Sequence, residues 1–129
     1  MQALPLRHLR LWRHIGHTLV IAMLVVSLLP APRLIGVVPQ GDKLGHALAF
    51  GALMLWYGQI YAGRRDRWRL ALACVAFGLL IEILQAFVPY RSADWRDLAA
   101  DALGVALSVL LLRTPLGGLL SRLDARLAR

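Results

Sequence analysis

The stretch LALACVAFGLLIEILQAFVPY, Leu70–Tyr90, decides the fold. Its twenty-one residues hold one side chain ionised near neutral pH, Glu82. A helix crossing the hydrocarbon core of a bilayer needs about 20 apolar residues. Lipid offers no partner for free amides, so such a run is expected to be helical. An ionised carboxylate inside it costs about 2.5–3.5 kcal/mol on insertion scales, which turns Glu82 toward protein or water rather than lipid.

Three further runs flank this one. Between Arg13 and Arg33 there is no Asp, Glu, Lys or Arg, and TLVIAMLVVSLLP forms the centre. Residues 44–63 contain His46 as their only group titrating near neutral pH, and 98–112 contain Asp101. The last run reaches spanning length only when it starts near Trp95. The reading is an all-α polytopic membrane protein: a four-transmembrane-helix bundle in one domain, 1–129, with short interfacial helices at the termini. The spans fall at 14–32, 44–63, 69–89 and 95–112. Composition agrees, with 59% apolar and 17% charged residues against about 45–50% and 25% in soluble domains. SLLPAPRLIG lacks an A-x-A site, so the first run is expected to be a retained helix rather than a cleaved signal. The single cysteine, Cys74, excludes an intramolecular disulfide and reads as a small buried filler.

The net charge of +8 sits in short clusters beside apolar runs, not in a stripe on a polar domain, and this argues against nucleic acid as a partner. Eleven arginines (7, 10, 13, 64, 65, 67, 69, 113, 122, 126 and 129) fall on one side of the four-span topology. The other side has Arg33, Lys43, Arg91 and Arg96, with Asp42, Asp94 and Asp97. Both termini are therefore expected in the cytoplasm. Trp12, Trp68 and Trp95 fall at expected membrane interfaces. Arg7, Arg10, His14 and His17 would share a helix face, and Leu116, Leu119, Leu120, Leu123 and Leu127 would form an apolar stripe opposite Arg122 and Arg126.

The polar residues inside or beside the spans carry the functional signal. Asp42 and His46 are four apart, Glu82 and Gln85 three apart, and Asp94, Asp97 and Asp101 follow i, i+3, i+7. Each group lies within about two turns of the same membrane face, at about 1.5 Å rise per residue. An outward-facing polar pocket is expected, with Asp42, Lys43, His46, Glu82, Gln85, Arg91, Asp94, Arg96, Asp97 and Asp101 as ligand-binding candidates. Asp94 also reads as a helix N-cap, and Arg91 and Arg96 as lipid-phosphate contacts. The bland alternative is interhelical hydrogen bonding, with Gly45, Ala49, Ala100, Gly104 and Ser108 allowing close packing.

DKLGHALAF and EILQAFVPYRSADWRDLAADALG together resemble the VanZ-like family of small bacterial membrane proteins, over roughly residues 40–112. The family pattern is D-K-x-x-H, then E-x-x-Q, R, and D-x-x-D-x-x-x-N. The chain departs from it at Asp101, where the pattern has asparagine. The resemblance implies a bacterial cytoplasmic membrane protein with a tie to the cell envelope, and to low-level teicoplanin resistance through the protein that gives the family its name.

Several functions remain open on this reading. One is binding of an envelope lipid, a lipid-linked cell-wall intermediate or a glycopeptide antibiotic. Another is a membrane enzyme with Glu82 or His46 as acid–base, Asp97 and Asp101 as supporting candidates, and Lys43, Arg91 and Arg96 gripping an anionic group. There is no serine or cysteine nucleophile motif. The rest are a packing protein and an oligomeric conduit. No cofactor is expected beyond a divalent cation held by Asp42, Glu82, Asp97 and Asp101. Membrane lipids are expected partners, and the oligomeric state stays open.

Overall fold

The structure is a computed structural model that describes residues 1–30 and 41–127. Every regular element among them is helical: α1 (Leu9–Leu28), α2 (Gly41–Ile60), α3 (Arg64–Gln85), α4 (Trp95–Leu111), a 3₁₀ turn (Pro115–Gly118) and α5 (Leu119–Leu127). The expected end of the first span at residue 32, and Arg33 and Arg129 of the arginine pattern, lie outside the described residues.

α2 is the centre of the bundle. It packs most extensively on α4 and also meets α1 and α3. Phe50, Leu53 and Met54 of α2 are buried with Leu70, Ala71, Cys74 and Ile81 of α3 and Val105 of α4. The backbones of α2 and α4 nearly touch: a Cβ on Gly104 would collide with the carbonyl of Ala47, and Ser108 Oγ donates to Gly51 O at 2.8 Å. Small residues at four-residue spacing make that approach possible.

By length and apolar content two helices, α1 and α3, are able to cross a membrane. Taken with the bent segment that follows it, α4 gives a third, the chain turning by 82° between them. α2 begins with Gly-Asp-Lys and carries His46 and Gln59, a composition a helix tolerates when neighbours cover it. Leucines, isoleucines and valines along the outer faces of α1, α3 and α4 stay exposed, Leu72, Leu79, Leu103 and Leu107 among them. An apolar surface of that extent suits lipid contact.

Helix ends differ from the hydropathy boundaries. α3 starts at Arg64 rather than 69, because the hydrogen-bonded ladder does not depend on hydropathy and runs on through the arginines to the extended Gly63. It stops at Gln85 rather than 89, since Pro89 cannot continue the ladder. α1 starts at Leu9, so Arg7 precedes it and does not share a face with Arg10, His14 and His17 as expected. Leu116, Leu119, Leu123 and Leu127 form an exposed stripe, while Leu120 turns inward onto Ile60 and Trp12. Trp68 and Trp95 are exposed, whereas Trp12 is buried.

The reason for that burial is Asp124 on α5. Its carboxylate accepts the backbone N–H of Arg7 at 2.7 Å and of His8 at 3.1 Å, and the indole N–H of Trp12 at 2.8 Å. His8 Nδ1 lies 3.0 Å away. Burial alone would raise this carboxyl, but the donors from Trp12, Arg7 and His8 outweigh it and hold it at about 2. At the same end Arg67 donates to Gly58 O and Leu112 O, covering open carbonyls at the ends of α2 and α4.

Two outcomes follow. Gly104→Ala, whose new methyl meets backbone that cannot yield, lowers stability by about 1–3 kcal/mol or more, while Gly45→Ala, with open space around it, does not; thermal unfolding in detergent distinguishes them. Asp124→Asn lowers Tm, and because the folded carboxyl sits below its ordinary value, the difference from wild type is full above about pH 4. It shrinks as pH falls through about 2.

Candidate functional site

The end of the bundle that holds Gly41, Gln85 and Trp95 collects the polar residues. Three helices deliver them. α2 supplies Asp42, Lys43 and His46 on its first two turns, α3 supplies Glu82 and Gln85 on its last turn, and α4 begins with Asp97 and Asp101 behind its cap, Asp94. The side chain of Asp94 accepts from Arg96 N at 2.9 Å, an N-cap geometry. Arg96 N–H, with Lys43 beside it, holds this carboxyl below the usual carboxylate range against the opposing effect of burial.

Lys43 Nζ bridges Asp94 Oδ2 at 3.3 Å and Asp97 Oδ1 at 3.1 Å. His46 Nδ1 lies 2.9 Å from Asp101 Oδ1, and its Nε2 lies 3.8 Å from Asp97 Oδ2. α2 thus supplies the cation and the imidazole that face the carboxylates of α4. Asp101 is 1% exposed and sits against Gly78 of α3, where any Cβ would displace its carboxylate. Deep in the contact between helices, it has His46 of α2 as its partner. The imidazole also stacks on Phe50, ring planes 4° apart and centroids 6.5 Å apart.

Glu82 lies behind this cluster. Its Oε2 accepts the backbone N–H of Asp94 at 2.8 Å, so α3 steadies the turn into α4. Its Oε1 is buried and has no hydrogen-bond partner. Gln85 and Arg91 do something the sequence reading missed: Gln85 Nε2 and Arg91 Nε both donate to Ser27 O, each at 2.9 Å, and Tyr90 OH donates to Leu28 O at 3.0 Å. They satisfy the open carbonyls at the end of α1. Arg96 stands apart, its guanidinium over the exposed Trp95 ring. Of the ten candidates, then, Lys43, His46, Glu82, Asp94, Asp97 and Asp101 form one connected group, with Asp42 at its exposed rim. Gln85 and Arg91 fasten α1, and Arg96 faces outward.

A groove of about 360 Å³ opens between the second half of α1 and the first half of α2. Near its other end the two helices meet tightly, with Gly16 against Tyr57. Leu19, Ala22, Met23 and Val26 line one wall, Ala49 and Phe50 the other, and Ser27, Asp42, His46 and Arg91 close the polar end. Its volume lies at the lower end of the about 300–1,000 Å³ usual for ligand sites. A second cavity, of about 460 Å³, lies at the opposite end of the bundle beside Arg64, Arg67, Trp68 and Arg113.

Comparison with known proteins supports a broader kinship than residues 40–112. An uncharacterized protein of Schizosaccharomyces pombe is 36% identical over 77 residues, 57% of this chain and 48% of that protein. The chain spans about half the length of that relative. No solved structure matches the chain. The VanZ/LLP1 family model, however, covers residues 3–120, so the N-terminal arm, α1 and the start of α5 fall within it as well as the polar cluster. This chain belongs to the VanZ/LLP1 family.

Proposed function

We propose that the protein binds a phosphate-bearing lipid headgroup in the groove between α1 and α2, with the first part of an acyl chain along the apolar walls. The observation that carries this reading is the character of the groove itself: a continuous apolar trough that ends in Ser27, Asp42, His46 and Arg91. A lipid has the same division into an oily chain and a charged head. Arg91, its Nε held on Ser27 O, still lines the groove, and the rest of its guanidinium suits the phosphate. A relative in a fungus favours a headgroup common to bacterial and fungal membranes over a cell-wall intermediate or a glycopeptide antibiotic.

The same proposal includes the topology. Four crossings, with α2 sheltered by its neighbours, would bring the polar cluster to the outer leaflet and both termini to the cytoplasm. The arginine excess at the other end, including Arg64, Arg67 and Arg113, favours that orientation. In a Cys74→Ala background, Tyr90→Cys is expected to react with an impermeant thiol reagent on intact cells, and Arg122→Cys only after permeabilisation. The reverse pattern removes the orientation.

A catalytic alternative keeps one residue of its two acid–base candidates. His46 lines the groove and is backed by Asp101, the arrangement of a general base. Glu82 is bonded to the Asp94 amide and is not among the groove's lining residues.

Gly45 supplies the test, because it lines the groove and a Cβ placed on it would meet open space. Gly45→Phe fills the trough without disturbing the core. Native mass spectrometry of the detergent-purified protein is expected to show lipid adducts on the wild type and at least about tenfold weaker binding in the variant, equivalent to about 1.4 kcal/mol. Unchanged Tm and helicity would accompany that loss. Adducts that persist on Gly45→Phe end the groove reading, and a co-purifying glycopeptide or cell-wall precursor replaces the ligand class. Release of a modified lipid by wild type but not by His46→Gln favours the catalytic alternative.

A further inference from the structure

His46 is fastened by one ring nitrogen. Asp101 takes Nδ1 at 2.9 Å, and Asp101 is buried, so the ring's orientation is fixed from inside the bundle. A neutral imidazole that donates Nδ1–H to a carboxylate presents a lone pair at Nε2. Here Nε2 faces Asp97 Oδ2 at 3.8 Å, too far for a hydrogen bond. Asp97 is 5% exposed, and Lys43 occupies only its other oxygen, Oδ1. Asp97 Oδ2, on a carboxylate more than nine-tenths buried, accepts no hydrogen bond among the described residues and faces this nitrogen.

Asp42 completes the set. It lies one turn before His46, and one ligand atom from each of Asp42, His46 and Asp97 falls within 4.8 Å of the others. Ligand atoms around an ion bound at about 2.0–2.2 Å stand about 3–4 Å apart, so a small inward shift of the exposed Asp42 side chain would close the set. The histidine–carboxylate pair behind it matches the arrangement that orients metal-bound imidazoles elsewhere.

Charge points the same way. Asp42, Glu82, Asp94, Asp97 and Asp101 meet at this end, and the ammonium of Lys43 is the one lysine or arginine within ion-pair distance of any of them among the described residues. Arg91 is turned to Ser27 O and Arg96 to Trp95. Buried Glu82 Oε1 has no partner at all. Buried Glu82 Oε1 and Asp97 Oδ2 are thus oxygens that the side chains of the cluster leave without a hydrogen-bond donor.

We propose that Asp42, His46 and Asp97 form a divalent-cation site at the mouth between α2 and α4, with Asp101 as the positioning residue that holds the imidazole. One imidazole with two carboxylates suits Zn²⁺ or Mn²⁺ better than Ca²⁺ or Mg²⁺, which favour all-oxygen shells. The site shares Asp42 and His46 with the polar end of the groove, so the ion's open coordination positions face whatever occupies it. The cation itself does not depend on the lipid reading.

The test uses the full chain, purified in detergent, stripped with a chelator and titrated with Zn²⁺ by calorimetry without added lipid. One Zn²⁺ per chain is expected, with a rise in Tm on binding. Asp42→Asn, at an exposed residue with no hydrogen bond among the described residues, is expected to keep its fold and to lose at least about tenfold in affinity. Asp101→Asn is expected to lose about 10–100-fold while still binding one ion, and Arg126→Gln to behave as wild type. Mn²⁺ followed by electron paramagnetic resonance should show a nitrogen ligand that His46→Gln removes. Folded wild-type protein that takes up no Zn²⁺ overturns the proposal. So does an affinity unchanged in Asp42→Asn.

Discussion

Carboxylates cannot stand inside an apolar bundle without partners, and the contact between α2 and α4 exists around that constraint. Asp97 and Asp101 project from α4 into the protein, and α2 meets them with Lys43 and His46 one turn apart. The pairing works only because the backbones come close, and they come close because Gly51 and Gly104 carry no side chain where the helices cross. Small residues and buried charge are therefore two aspects of one contact. Exchanging Lys43 or His46 for an apolar residue would leave an unpaired carboxylate in surroundings that penalise it.

The other helices are arranged around this pair by hydrogen bonds at their ends. α3 contributes Glu82, which holds the amide of Asp94 at the turn into α4, and Arg67, which covers carbonyls at the far ends of α2 and α4. α1 is fastened at its start through Asp124 and at its finish through Gln85, Tyr90 and Arg91. Between those points it buries only Trp12 and Gly16. The groove is the space left by a helix held at its ends more than along its length.

Much of this was legible in the residues. The spacing of Asp42 with His46, and of Asp94, Asp97 and Asp101, placed each set on one helix face, and the cost of lipid exposure turned those faces inward. What stayed hidden was non-local. Asp124 looks like an ordinary charge on a basic amphipathic helix, and its donors lie more than a hundred residues earlier in the chain. Gln85 and Arg91 read as ligand groups because nothing in their own segment reveals that α1 ends beside them with open carbonyls. Helix boundaries were misplaced for another reason: hydropathy marks where lipid begins, while the hydrogen-bonded ladder of α3 runs on through Arg64 and stops before Pro89. α2 conceals itself in the opposite way, since a helix covered by its neighbours has no need to be oily on every side.

The unequal seating of α1 has a consequence for how the molecule breathes. A segment with few buried apolar contacts forms a local unit whose opening costs less than unfolding the whole. Swinging the second half of α1 outward would leave the α2–α4 ion pairs intact, breaking the clasp at Gln85, Tyr90 and Arg91 and the packing of Val20, Met23 and Leu24 on the core. Amides along the middle of α1 would then exchange with solvent deuterium sooner than those of α2, and the trough would widen toward the apolar outer face, which for the lipid proposed to bind there is a lateral door.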